Sequence, residues 1–134
     1  MLTGARVMQI DATPLPSESV EQQRLFQWAA YECGKWPELR LMYHIPNEGK
    51  RTRGTGGRMR AEGLKKGVPD ICLPVARGGA HGLYIEMKRQ AGGRITPEQS
   101  RWMDDLHAQG YEVALCRGWE AASKIIMDYL KGGG

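Results

Sequence analysis

Residues 67–90 read "GVPDICLPVARGGAHGLYIEMKRQ". Two apolar runs, "DICLPV" and "GLYIEMK", flank the turn-rich "ARGGAH", the pattern of two strands that pair antiparallel across a loop. Charges stand where a buried strand should not carry them: Asp70 at the head of the first run, Glu86 and Lys88 inside the second. An ionisable side chain in a core costs free energy unless it is paired or holds a metal. These three therefore sit at an edge or form a site.

Strand alternation brings them together. Tyr84, Glu86 and Lys88 share one face of the second run, and Leu83, Ile85 and Met87 share the other. In the first run Ile71, Leu73 and Val75 form the apolar set, which leaves Asp70 opposite them with Cys72. Packing apolar on apolar then puts Asp70 on the face of Glu86 and Lys88, a register that needs a connection of odd length, roughly five or seven residues. Neighbouring strands lie about 4.8 Å apart, so two carboxylates and an ammonium converge. A pair of acids gives Mg²⁺ or Mn²⁺ hard oxygen ligands without filling its shell, and a lysine beside it can orient a water or offset charge building on a phosphate. That chemistry suits phosphodiester hydrolysis. A plain cross-strand ion pair between Lys88 and the two acids has the same spacing and contributes little at a surface.

Working outward, a first helix is expected from Ser17 or Ser19, where "SVEQ" matches a capping box, to Gly34. Its apolar stripe is Leu25, Trp28 and Ala29, and one turn back along it stands Glu21, an acid on the core side. "LRLMYHIP" alternates Leu39, Leu41, Tyr43 and Ile45 as a strand stopped by Pro46, and a short helix is expected over residues 57–64. Downstream, "ITPEQSRWMDDLHAQG" carries Thr96 as N-cap, Pro97 at the first position, Gln99 closing a capping box and Gly110 past the end, with Gln99, Trp102, Met103 and Leu106 inward. For Glu21 and Gln99 alike, an ordinary place in the first turn of a helix explains the residue as well as a reach into the pocket does. "YEVALCR" reads as a strand, and "WEAASKIIMDYLK" as a last helix with Ala122, Ile125, Ile126 and Tyr129 on one side. The order is helix, three strands, helix, strand, helix: an α/β fold with a mixed central sheet flanked by helices. One domain over residues 17–131 would follow an arm of residues 1–16 and precede a flexible glycine tail, residues 132–134.

The totals fit this plan. A chain of 134 residues, 41% hydrophobic and 25% charged, has no apolar run long enough to span a bilayer and no secretory signal at its N-terminus, so it is expected in the cytoplasm. Cys33, Cys72 and Cys116 are too widely spaced for a zinc site and read as small buried apolar residues; His44, His81 and His107 are equally scattered. Charge is uneven. In "KRTRGTGGRMRAEGLKK", residues 50–66, seven bases (Lys50, Arg51, Arg53, Arg58, Arg60, Lys65, Lys66) face the single acid Glu62, leaving +6 there and −2 over the rest of a chain whose net charge is +4. Bases among glycines fit a polyanion such as DNA, and a solvated loop fits them too.

"PD" (Pro69, Asp70) followed by "EMK" (Glu86, Met87, Lys88) resembles the PD-(D/E)xK nuclease signature, and the element order resembles the restriction-endonuclease-like core of that superfamily. "HIPNEGKR", "AEGLKKGVPDICLP", "GLYIEMK" and "GRITPEQSRWMDDLHAQGYEVALC" narrow the resemblance to the VRR-NUC (virus-type replication-repair nuclease) family, over nearly all of residues 21–130. It implies that Asp70 and Glu86 hold the divalent metal with the main-chain carbonyl of Met87. It also implies that Lys88 positions the attacking water, that Glu21 acts through a water or a second metal, and that Gln99 supports the lysine. The middle residue of "EMK" is often valine in relatives, a departure of little weight because only its carbonyl is used. The implied activity is a metal-dependent, structure-specific DNA endonuclease leaving a 5′-phosphate. Small stand-alone members resemble four-way (Holliday) junction resolvases, so the expected form is a homodimer on branched double-stranded DNA, without a nucleotide cofactor, in a bacterial cell and of phage or prophage origin. A flap, fork or nicking endonuclease and a non-cleaving DNA-binding module are the alternatives.

Overall fold

The computed structural model describes residues 14–46 and 53–132. Most of the expected arm, the last two residues of the tail, and Lys50 and Arg51 of the basic window lie outside the described residues. Helix α1 runs Glu18–Glu32, and its N-cap is Ser17, whose hydroxyl accepts from the Val20 amide at 3.2 Å. The capping box expected at Ser19 does not form, because the third helical position after Ser17 is Val20, which has no acceptor to return; the Ser19 hydroxyl accepts from the Gln23 side chain instead. Leu25 and Ala29 face the core as expected, with Glu21 on the same buried stripe.

The segment read as a first long strand winds into a 3-10 turn over Pro37–Leu41, and strand β1 is reduced to Tyr43–His44. Pro37 at the start of a turn has no amide to leave unsatisfied, and the buried pair Leu39 and Met42 is spaced by three, the period of that helix. Leu41 and Tyr43, assigned by alternation to the face of Leu39, are 54% and 50% exposed. Helix α2, Arg53–Ala61, starts earlier than expected. Its first half contains Gly54, Gly56 and Gly57, poor helix formers that hide the start.

Strands β2 (Ile71–Leu73) and β3 (Leu83–Lys88) pair antiparallel, with Ile71 opposite Ile85 and Leu73 opposite Leu83. The connection covers residues 74–82, odd as the register demands but longer than expected. Helix α3, Pro97–Ala108, crosses to strand β4, Glu112–Arg117, which pairs parallel with β3, and helix α4 follows over Trp119–Leu130. The sheet order is β1-β2-β3-β4, mixed as expected. Leu25 and Ala29 of α1 and Ala122 and Ile126 of α4 close over Ile71, Leu73, Leu83, Ile85 and Met87. Each leucine, isoleucine or methionine among them contributes about 1.5–3 kcal/mol by leaving water. On α4 the buried set is Ala122, Ile126, Tyr129 and Leu130; Ile125 lies off this stripe and is 37% exposed. Cys72 and Cys116 are buried, Cys33 only half so, and none is in a disulfide. Among the described residues no helix is long and apolar enough to cross a membrane.

Candidate active site

The polar end of the β2–β3 pair is where the fold spends its buried charge. Glu21, Asp70, Glu86, Lys88 and Gln99 are all buried. Asp70 stands just before β2, opposite Glu86 if the register is extended by one pair, and its main-chain oxygen accepts from the Ile45 amide at 2.7 Å. His44 Nδ1 lies 3.1 Å from that same oxygen and 3.1 Å from the Gln22 side-chain nitrogen, so β1 fixes the backbone on which the aspartate sits. Asp70 Oδ2 accepts from the Met87 amide at 2.7 Å. In a strand the N–H and C=O of one residue point to the same edge, so the Met87 carbonyl is also directed to the Asp70 side.

Glu86, Lys88 and Gln99 form a closed group. Gln99 Nε2 donates to Glu86 Oε2 at 3.0 Å, Lys88 Nζ donates to Gln99 Oε1 at 3.2 Å, and Lys88 Nζ lies 3.4 Å from Glu86 Oε2. The sequence at the start of α3 explains why Gln99 stays in place. Its amide donates to Thr96 Oγ1 at 3.1 Å, and its Oε1 accepts from the Thr96 amide at 2.9 Å, the capping box expected there. The same oxygen that completes the box receives the lysine.

Glu86 Oε1 is buried and has no hydrogen-bond partner. Burial first, and then the charge of Asp70, pushes the Glu86 carboxyl up to about 8, although Lys88 pulls the other way. Burial also raises Asp70, against the lowering effects of the Met87 amide, Glu86, Lys88 and His44. Desolvation outweighs the single ammonium here: one positive charge does not support two buried carboxylates. An orphaned carboxylate oxygen beside a second acid is a donor set that a hard divalent cation completes. Among the described residues no group of three His, Cys, Asp or Glu side chains converges to hold a metal, so side chains offer two oxygen donors and leave room for main chain and water.

Glu21 is buried within the same half of the molecule but is held by other groups. Its Oε1 accepts from the Trp119 amide at 2.9 Å and its Oε2 from the Gln90 side chain at 2.9 Å. It thus caps the N-terminus of α4, where a negative charge is favourable. Gly118, the residue before that helix, has φ +90°, and a side chain there would stand 3.2 Å from Gln90 and about as close to the Glu21 carboxylate. Gln90, Gly118 and His44 were not singled out in the sequence as site residues. Only the glycine at a strand-to-helix junction carries a local signal.

Of the basic window, Arg58, Arg60, Lys65 and Lys66 are exposed, on α2 and the turn after it, and Arg53 opens α2. Gly67 seats the end of this segment against α3: at φ +92°, a Cβ there would lie 2.7 Å from Glu98 Cβ and 2.8 Å from its carbonyl carbon.

Residues 17–120 match the VRR-NUC domain family. The chain belongs to the VRR-NUC family. A solved structure of a VRR_NUC domain protein is similar to this VRR-NUC chain in fold, with a TM-score of 0.71 and 23% identity over 88% of this chain and 91% of that one. No curated protein matches the chain. VRR-NUC domains are nucleases of the PD-(D/E)xK type, and that places this VRR-NUC chain among the endonucleases.

Proposed function

We propose that this VRR-NUC nuclease is a divalent-metal-dependent, structure-specific DNA endonuclease that hydrolyses phosphodiesters and works as a homodimeric resolvase of four-way junctions. The observation that carries the metal dependence is the unpartnered Glu86 Oε1, buried beside Asp70. Asp70, Glu86 and the Met87 carbonyl would hold Mg²⁺ or Mn²⁺, which supplies Lewis-acid stabilisation of the charge that builds on the phosphate. Lys88, fixed by Gln99, holds the attacking water by donating to its oxygen and offsets the negative charge of the transition state. The water oxygen attacks phosphorus as the water gives up a proton to solvent, the bond from phosphorus to the 3′ oxygen breaks, and that oxygen takes up a proton from solvent, so that a 5′-phosphate and a 3′-hydroxyl result. Both oxygens of Glu21 are engaged, so it serves as a positioning residue that ties α1 to the end of β3 and to α4.

The dimer follows from stoichiometry. One site cuts one strand, and symmetric resolution of a junction needs two cuts, which a two-fold pair of sites supplies. Exposed bases on α2 and the turn after it favour backbone phosphates over base edges, in keeping with recognition of branch shape. The test is cleavage of labelled four-way junction, flap and linear duplex by the purified protein with Mg²⁺, with Mn²⁺ and with chelator. Paired symmetric cuts in the junction that need metal are expected. Flap cleavage alone would replace the resolvase reading with a flap or fork endonuclease, and binding without cuts on any substrate would leave a DNA-binding module.

A further inference from the structure

The loop that leaves Lys88 has a charge and an anchoring that the chemistry above does not use. Residues 87–97 contain no acid, and they carry Arg89 and Arg94, both exposed. Arg117 stands opposite Lys88 across the parallel β3–β4 ladder, on the same face of the sheet. Its Nη1 donates to the carbonyls of Gly92 at 2.6 Å and Arg89 at 3.3 Å. Among the described residues neither Arg89, Arg94 nor Arg117 has a carboxylate within ion-pair distance. The Arg89 guanidinium also donates to the Leu15 carbonyl, at 3.5 Å. The chain that follows Lys88 and the strand beside it thus carry three guanidiniums that no carboxylate neutralises.

The backbone beneath them is pinned at four points. Lys88 ends β3, Gln90 donates to Glu21, Arg117 holds the Gly92 carbonyl, and Thr96 closes the capping box of α3. Gly92 and Gly93 both adopt positive φ, +79° and +73°, and a side chain at Gly93 would approach Lys88 Cδ at 3.6 Å. The glycines thus let the chain fold back over the lysine stem. Fixed backbone under exposed arginines is the arrangement that presents guanidiniums to phosphate oxygens with little ordering left to do. Carbonyl contacts brace the loop through Arg117 and Arg89 without neutralising either charge, and a loop that only closed the βαβ crossover would not need its arginines free of acids.

We propose that the loop of residues 89–95, braced by Arg117, seats the backbone of the strand being cut, with Arg89 and Arg94 contacting the phosphates next to the scissile one. This rests on the DNA endonuclease reading, and it adds a contact surface separate from the basic window of residues 50–66. Arg117 is a positioning residue here, acting through the loop carbonyls it holds.

The test measures binding of a labelled four-way junction and a linear duplex by fluorescence anisotropy in chelator, over a range of salt. It compares the unaltered protein, R89A/R94A, R89K/R94K, and the equal charge change K124A/K131A on and after α4. Each phosphate contact contributes about 0.9 to the slope of log affinity against log salt. R89A/R94A is expected to lower that slope by about 1.8 and to weaken binding at least tenfold at low salt, with R89K/R94K recovering most of the slope and K124A/K131A changing little. In metal-dependent cleavage R89A/R94A should raise KM far more than it lowers kcat. Equal slopes for R89A/R94A and K124A/K131A would overturn the inference while leaving cleavage, and so the nuclease reading, intact. Absence of cleavage with any metal or DNA, together with the slope difference, would sink the endonuclease reading and keep the loop as a phosphate-binding surface.

Discussion

At the scale of single residues, the site is a place where stability has been given up. Glu86 is buried with one oxygen unpartnered, and its carboxyl sits at about 8 instead of the ordinary 4.5. The sign of the consequence is fixed by that direction. Ionising Glu86 costs more in the fold than in the unfolded chain, so the cost is absent below about pH 4.5, grows as pH rises, and is complete above about 8. Metal-free protein, unfolded by denaturant in chelator, should therefore lose stability across that window, and the raised Asp70 acts in the same direction. Metal binding should strengthen over the same window and release a proton, which calorimetry in buffers of different ionisation enthalpy will detect. Glu86→Gln should flatten the pH dependence and stabilise the metal-free protein at pH 8 by about 1–2 kcal/mol, a rise of several degrees in Tm. Asp70, Glu86 and Lys88 were legible as one constellation because strand parity is a strict rule: two alternations and an apolar face leave one arrangement. The partners of Glu21 were not legible. Gln90 and the Trp119 amide lie 69 and 98 positions away in the chain, and no periodicity links residues so far apart.

At the scale of elements, α3 joins folding to chemistry through its first turn. Gln99 closes the capping box and holds both Lys88 and Glu86, so Gln99→Ala should cost about 1–2 kcal/mol of stability and lower kcat by roughly ten- to a hundredfold. Thr96→Ala removes the cap alone, at about 1 kcal/mol, and should leave kcat within a few fold. Equal kcat losses in the two variants would show that Gln99 acts only as a cap. Gly67→Ala is expected to be worse than either for stability, because its Cβ would collide with the backbone of α3 at φ +92°. The elements legible in the sequence were those with two agreeing signals: α3 with both caps, and β2 and β3 with alternation and a turn between them. Residues 37–45 misled because alternation over four apolar positions also fits a 3-10 turn followed by two extended residues, and Pro37 favoured the turn. The start of α2 was hidden by its glycines, and Ile125 was assigned inward because an α-helical stripe read from sequence is uncertain by one position at its edge.

At the scale of the whole molecule, the sheet gathers buried charge at one end and leaves bases on the surface around it. The basic window and the arginine loop both reach the N-terminal end of α3: Gly67 seats one against Glu98 and Gln99 from the β2 side, and residues 89–95 lead into the helix from β3. A strand laid across the site would meet both. Sedimentation at micromolar concentration should give a dimer, the form that two symmetric cuts require. A monomer that still cuts a junction would separate cleavage from resolution. The central claim is that Asp70 and Glu86 hold the metal while Lys88 acts on water and phosphate, and one paired measurement tests it most directly. Mn²⁺ binding by electron paramagnetic resonance and single-turnover cleavage of a four-way junction would be followed in the unaltered protein, Glu86→Gln and Lys88→Ala. The account predicts that Glu86→Gln loses both Mn²⁺ and cleavage, whereas Lys88→Ala keeps Mn²⁺ and loses cleavage by about 10²–10⁴-fold. Cleavage by Glu86→Gln at the rate of the unaltered protein would contradict it.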